Sequence, residues 1–98
     1  MEQVQQLSAF FKAIEGDGRI APMHICVYAA LLHYWSQHQY AVPIRVFSTD
    51  IMKIAKLMNR GTYLKYMADL SEYGYIRYEP SRKKNAASKV HLISVCDF

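Results

Sequence analysis

The chain has 98 residues, 52% of them apolar, and a net charge of +4 with a pI near 9.1. That length makes one domain with room for a core but not for a second one, and the apolar content excludes a disordered chain. Two cysteines make no disulfide framework or zinc spacing, and the longest apolar run, Ile25 to Leu32, falls far short of the roughly 20 residues of a membrane span.

The amino terminus is polar (Glu2, Gln3, Gln5, Gln6) and lacks an unbroken apolar stretch, so no signal peptide is read and the expected compartment is the cytoplasm. Helical spacing begins with Val4, Leu7, Phe11 and Ile14, widened by Phe10, and predicts a helix from about Val4 to Glu15. Gly16, Asp17 and Gly18 stop it. A second helix is predicted from Pro22, suited to a first turn because its missing N–H costs nothing there, to about Gln39. Its apolar residues form two stripes, Ile25, Tyr28, Leu32 and Trp35 on one side and Val27, Leu31 and Tyr34 on another. A helix apolar on most sides must be covered on most sides, either by the first helix or by a second copy of the chain. A homodimer built from residues 4–39 is therefore expected.

Val42, Ile44 and Val46 alternate with Pro43 and Arg45, which predicts a short strand that Pro43 confines to an edge or a strand start. Ser48 reads as the N-cap of a helix with Asp50 in its first turn and Ile51, Ile54 and Ala55 inward, ending around Lys56 to Met58. Asn59 caps the next helix, which buries Tyr63, Met67 and Leu70, keeps Tyr66 and Tyr73 at the edge of that face, and is closed by the left-handed residue Gly74. Tyr75 to Glu79 and Val90 to Val95 read as paired strands, joined by the basic loop 80–89.

A helix, a tight turn and a second helix over 48–74, then a β-hairpin over 75–95, predict an α+β winged-helix fold with two additional amino-terminal helices, all within one domain, 1–98. Charge follows the same division. Residues 1–44 carry Lys12 and Arg19 against Glu2, Glu15 and Asp17, a balance of −1, whereas 45–98 carry ten Lys or Arg against five Asp or Glu, a balance of +5. The expected partner is double-stranded DNA. If Tyr63, Met67 and Leu70 face inward, Gly61, Leu64, Lys65 and Ala68 face outward, with Arg60 at the helix start. Arg60 and Lys65 suit guanine edges or phosphates, Gly61 permits close backbone approach, and Leu64 suits a thymine methyl. Asn59, Thr62 and Tyr66 suit phosphates. Lys53 and Lys56 on the preceding helix, and Arg82, Lys83, Lys84 and Lys89 in the loop, would neutralise backbone charge.

The runs Ile51-Met52-Lys53-Ile54-Ala55-Lys56-Leu57, Asn59-Arg60-Gly61-Thr62-Tyr63 and Met67 through Gly74 to Tyr78 resemble bacterial winged helix-turn-helix transcriptional regulators. The whole chain, with Phe10-Phe11-Lys12-Ala13-Ile14 and the helix containing Tyr28 to Trp35, is similar to small uncharacterised winged-helix proteins of bacterial mobile elements. The resemblance implies sequence-specific DNA binding in transcriptional control or in the upkeep of such an element. Met58 stands where those regulators often have a glycine or another small residue.

Other chemistries find little footing. His24, His33, His38 and His91 lack the i, i+4 spacing of metal ligands and read as surface or half-buried groups. Cys26 and Cys96 read as buried thiols. Most of the eight tyrosines fall at core or rim spacing rather than on a base-stacking platform. No nucleophile and base pair, phosphate loop or paired carboxylates appear, so no enzyme, cofactor, metal or small-molecule ligand is expected. The competing reading is a winged-helix adaptor that binds protein and not DNA, with an RNA or single-strand binder as a third.

Overall fold

The structure, a computed structural model, describes residues 2–81 and 87–93. It is an α+β arrangement of α1 (Glu2–Ala13), α2 (Pro22–Gln37), β1 (Ile44–Val46), α3 (Ser48–Ala55), α4 (Arg60–Glu72), β2 (Ile76–Glu79) and β3 (Ser88–Leu92). The strands form one antiparallel sheet in the order β1-β3-β2. Among the described residues no helix is long and apolar enough to cross a membrane.

The second helix is the centre of the fold. Val27, Tyr28, Ala30, Leu31, Leu32, Tyr34 and Trp35 are all buried, so both of its apolar stripes are used. The cover comes from the same chain, because α1, α3 and α4 each pack on α2. Of the two covers open to it in the sequence, the helix takes the intramolecular one for these residues, and Ile25 is half-buried against the same core.

On α1 the buried face is the expected one only in part. Phe10 is fully buried, stacked on Tyr28 with ring centroids 3.8 Å apart and edge-on to Tyr75 at 5.2 Å, and Leu7 and Ile14 lean on the same core. Phe11 and Val4 are exposed. Positions 4, 7, 11 and 14 and positions 7, 10 and 14 both keep helical spacing, and only the rings available on α2 decide between them.

Elements end where backbone groups find partners. The first residue of α3 is Ser48 and the cap position falls to Phe47, without a side-chain bond, one residue away from the expected cap. The turn into α4 takes its left-handed residue at Lys56 (φ 64°) and not at Met58, and Leu57 N–H donates to the Met52 carbonyl, 2.9 Å. Met58 instead stands 97% exposed. At the far end of α4, Gly74 (φ 90°) and Tyr75 donate back to the carbonyls of Ser71 and Leu70, the paired bonds of a Schellman ending. Tyr75 is thereby spent on the helix end and β2 begins only at Ile76.

Pairing also moves a strand boundary. Ser88 and Lys89 belong to β3 and not to the loop, since Val46 and Arg45 of β1 and Glu79 of β2 stand opposite them. β1 is an edge strand, as Pro43 requires. The segment between α1 and α2 is held by a polar pin. Asp17 takes a bidentate ion pair from Arg19 at 2.8 and 2.9 Å and a hydrogen bond from the Tyr75 hydroxyl at 2.6 Å. Arg19 holds the Asp17 carboxyl well below the usual range, and burial together with that hydrogen bond pushes the Tyr75 hydroxyl up to about 12.

The choice of face on α1 carries a contrast between neighbours. Phe10→Ala should lower unfolding free energy by about 3–5 kcal/mol, the usual loss for a buried ring, and Phe11→Ala by no more than about 0.5 kcal/mol. Urea denaturation of both variants checks it, and equal losses would contradict the observed packing.

Candidate nucleic-acid interface

The side chains of α4 divide cleanly. Tyr63, Met67 and Leu70 are fully buried, while Arg60, Gly61, Leu64, Lys65 and Ala68 are exposed in a continuous band along the opposite side. Asn59 caps the helix, its Oδ1 accepting from Thr62 N–H at 3.1 Å, so that this side chain is spent on structure. A Cβ on Gly61 would lie 3.0 Å from the same Oδ1. The missing side chain at Gly61 thus makes room for the cap, in addition to leaving the helix start open to a close partner.

Charge along this band is one-sided. Lys53 on α3 and Lys56 at its C-cap are exposed, α3 packs on α4, and together with Arg60 these residues have no ion-pair partner among the described residues. Glu72 is the exposed acid of α4, twelve residues beyond Arg60 or about 18 Å along the axis, roughly twice the screening length at physiological salt. Its repulsion of an anion at the helix start is accordingly small. Lys65 is shared, lying 3.5 Å from Asp69 one turn on and over the Tyr66 ring at 4.8 Å. With the Lys65 side chain 65% exposed, that ion pair is a weak tether.

Lys89 sits apart from this band. It is on the central strand, exposed, opposite Arg45 on one side and Glu79 on the other. Glu79 is engaged by Arg77 at 3.1 Å and His91 at 3.2 Å, so the outer face of the sheet keeps a net positive balance. Arg82, Lys83 and Lys84 lie outside the described residues, as does Cys96.

His24, read from the sequence as a surface or half-buried group, is buried. At the third position of α2 its Nδ1 accepts the Ala21 N–H at 2.8 Å, the back-bond that Glu or Gln makes in a capping box. Because a backbone N–H can only donate, Nδ1 is bare and the ring proton lies on Nε2, which donates to Asp69 Oδ2 at 2.9 Å. This bond ties the start of α2 to the middle of α4, and it is the first cause, with Lys65 adding to it, that holds the Asp69 carboxyl below its ordinary range. The rings of Tyr66 and Tyr73 enclose the imidazole at 4.8 and 5.8 Å. The place of His24, three residues after the residue preceding Pro22, was the signal in the sequence.

The Cys26 thiol donates to the Ala55 carbonyl at 3.4 Å, as a half-buried structural group. Among the described residues no three His, Cys, Asp or Glu side chains are grouped to hold a metal ion. Comparison with protein-family models, with curated proteins and with solved structures returns no match to this chain.

The depressed Asp69 carboxyl makes a signed prediction. A group whose pKa is lowered by folding adds stability above its unfolded value and loses it as pH falls through the folded one. The carboxylate's part of the advantage of the parent over Asp69→Asn should therefore be fully present above the ordinary carboxyl value of about 3.9 and be lost as pH falls below it through the lowered folded value. Denaturation curves at stepped pH check it, and a pH-independent difference would show that the carboxylate charge contributes nothing to the tie.

Proposed function

We propose that the chain is a winged-helix protein that binds double-stranded DNA, entering the major groove with α4 and lying along the phosphates with α3 and the β2–β3 hairpin. The observation that carries this reading is the outward band of α4: Arg60, Gly61, Leu64, Lys65 and Ala68, with Lys53 and Lys56 beside it and no exposed carboxylate until Glu72. A helix presenting its first turns in this way suits base edges, and Lys53, Lys56 and Lys89 suit the backbone. The biological setting we propose is transcriptional control or the upkeep of a mobile element.

A second reading has its own support. Met58, Phe47 and Leu64 are apolar and exposed on or beside the same helix pair, which suits a protein partner better than a phosphate backbone. Fluorescence anisotropy with random duplex, single-stranded DNA and RNA at low and moderate salt separates the readings. Salt-sensitive binding to duplex supports the first, and a folded protein that ignores nucleic acid at low salt supports the adaptor.

Pairing of two copies would use a surface other than α2. The exposed Val4 and Phe11, seven residues apart on α1, are the surface we propose for it, and sedimentation that finds only monomer at tens of micromolar, on and off DNA, rejects it.

Arg60→Ala should weaken duplex binding by about 1–3 kcal/mol and relax preference at one base pair if it reads a base, or lower the log-log salt slope by about 0.9 if it meets a phosphate. Lys65→Ala should cost less, because Lys65 leaves Asp69 on binding. Unchanged affinity in both folded variants would remove α4 from the interface.

A further inference from the structure

On the side of the fold formed by the end of α2 and the start of β1 lies an open cavity of about 310 Å3, lined by Tyr34, His38, Gln39, Ala41, Val42, Pro43, Ile44 and Arg45. Its size is at the lower bound of small-molecule sites, about 300–1,000 Å3. We propose that this cavity binds a small organic carboxylate with a compact apolar body, the carboxylate meeting Arg45 and the body lying against Val42 and Pro43.

Three observations support it. Arg45 is exposed, and among the described residues it has no hydrogen-bond or ion-pair partner, its cross-strand neighbour being another cation, Lys89. Two like charges directly opposite destabilise a sheet, and an anion at Arg45 relieves that repulsion. A planar guanidinium matches a carboxylate through two parallel hydrogen bonds.

His38 forms part of the cavity wall. Its Nδ1 donates to the Tyr34 carbonyl at 2.9 Å, since that oxygen only accepts, and its ring stacks on Tyr34 at 4.0 Å. In that tautomer Nε2 is bare and only accepts, so it takes no part in holding the carboxylate, which falls to Arg45. Burial, with Asp50 adding to it from outside the cavity lining, pushes the Tyr34 hydroxyl up from its ordinary value.

The wall is also held in shape. Gln39 and Tyr40 are consecutive left-handed residues (φ 55° and 57°), fixed by Tyr40 N–H on the Trp35 carbonyl at 3.0 Å, Ala41 N–H on the His38 carbonyl at 3.2 Å, and the Tyr40 ring edge-on to Trp35 at 4.8 Å. A mostly apolar pocket with a few polar groups on a fixed wall is the usual form of a small-ligand site.

The test contains no nucleic acid, so it stands or falls apart from the DNA reading. Benzoate and 3-methylbutanoate, with benzamide and 3-methylbutanamide as neutral counterparts, are titrated into labelled protein to about ten millimolar, the range in which ligands this small bind. The expected result is saturable shifts of Tyr34, His38, Ile44 and Arg45 signals by the acids, at least about tenfold tighter than by the amides. Arg45→Gln should abolish that preference and Arg45→Lys keep part of it, with the rest of the spectrum unchanged as the check on folding. Equal binding of acids and amides, shifts elsewhere on the fold, or no saturable shift by any probe would overturn the proposal.

Discussion

The constraint behind this structure is a sixteen-residue helix with apolar side chains on most of its circumference. Such a helix cannot face water on any broad side, so α1, α3 and α4 are arranged around it, and their outward faces follow. The exposed band of α4 exists because Tyr63, Met67 and Leu70 are held in the interior on its other side. On α1, the stack of Phe10 on Tyr28 selects the face that turns inward and leaves Phe11 outside.

Around that apolar centre, polar bonds set angles that packing alone leaves loose. The His24–Asp69 bond fixes the start of α2 against the middle of α4, and the Asp17, Arg19 and Tyr75 cluster fixes the loop before α2 against the start of the hairpin. Arg19 also lies over the ring of Tyr73, the C-cap residue of α4, at 4.2 Å. Two buried groups run the other way. Among the described residues the Tyr63 hydroxyl and Trp35 Nε1 are buried without a partner, and each such group costs about 1–3 kcal/mol. Both belong to large aromatic residues whose buried area outweighs that cost.

The electrostatics of the outward surface are set by where its few acids are held. Asp69 is turned toward His24, Asp17 toward Arg19 and Tyr75, and Glu79 toward Arg77 and His91. With these carboxylates engaged, Lys53, Lys56 and Arg60 face solvent with little opposing charge nearby, while Lys89 faces solvent separately on the sheet, opposite Glu79.

Much of this was legible in the chain. The order of elements, the Asn59 cap, the Gly74 ending and the division of α4 into buried Tyr63, Met67 and Leu70 against exposed Gly61, Leu64 and Lys65 are all written in spacing and in residues with one strong local role. Those signals act within a turn or two of the backbone, and neighbouring residues suffice to express them. The rest needed partners distant in sequence. Whether Phe10 or Phe11 turns inward depends on Tyr28 and Tyr75; whether Ser88 and Lys89 are loop or strand depends on Arg45 and Val46; and whether His24 is surface or buried depends on Asp69, forty-five residues away. Local pattern determined which segments are helices and strands and which side of α4 is polar. Only the tertiary structure decided that α2 is covered by its own chain, because the free energy of burying a stripe is indifferent to whether the covering surface comes from the same molecule or another.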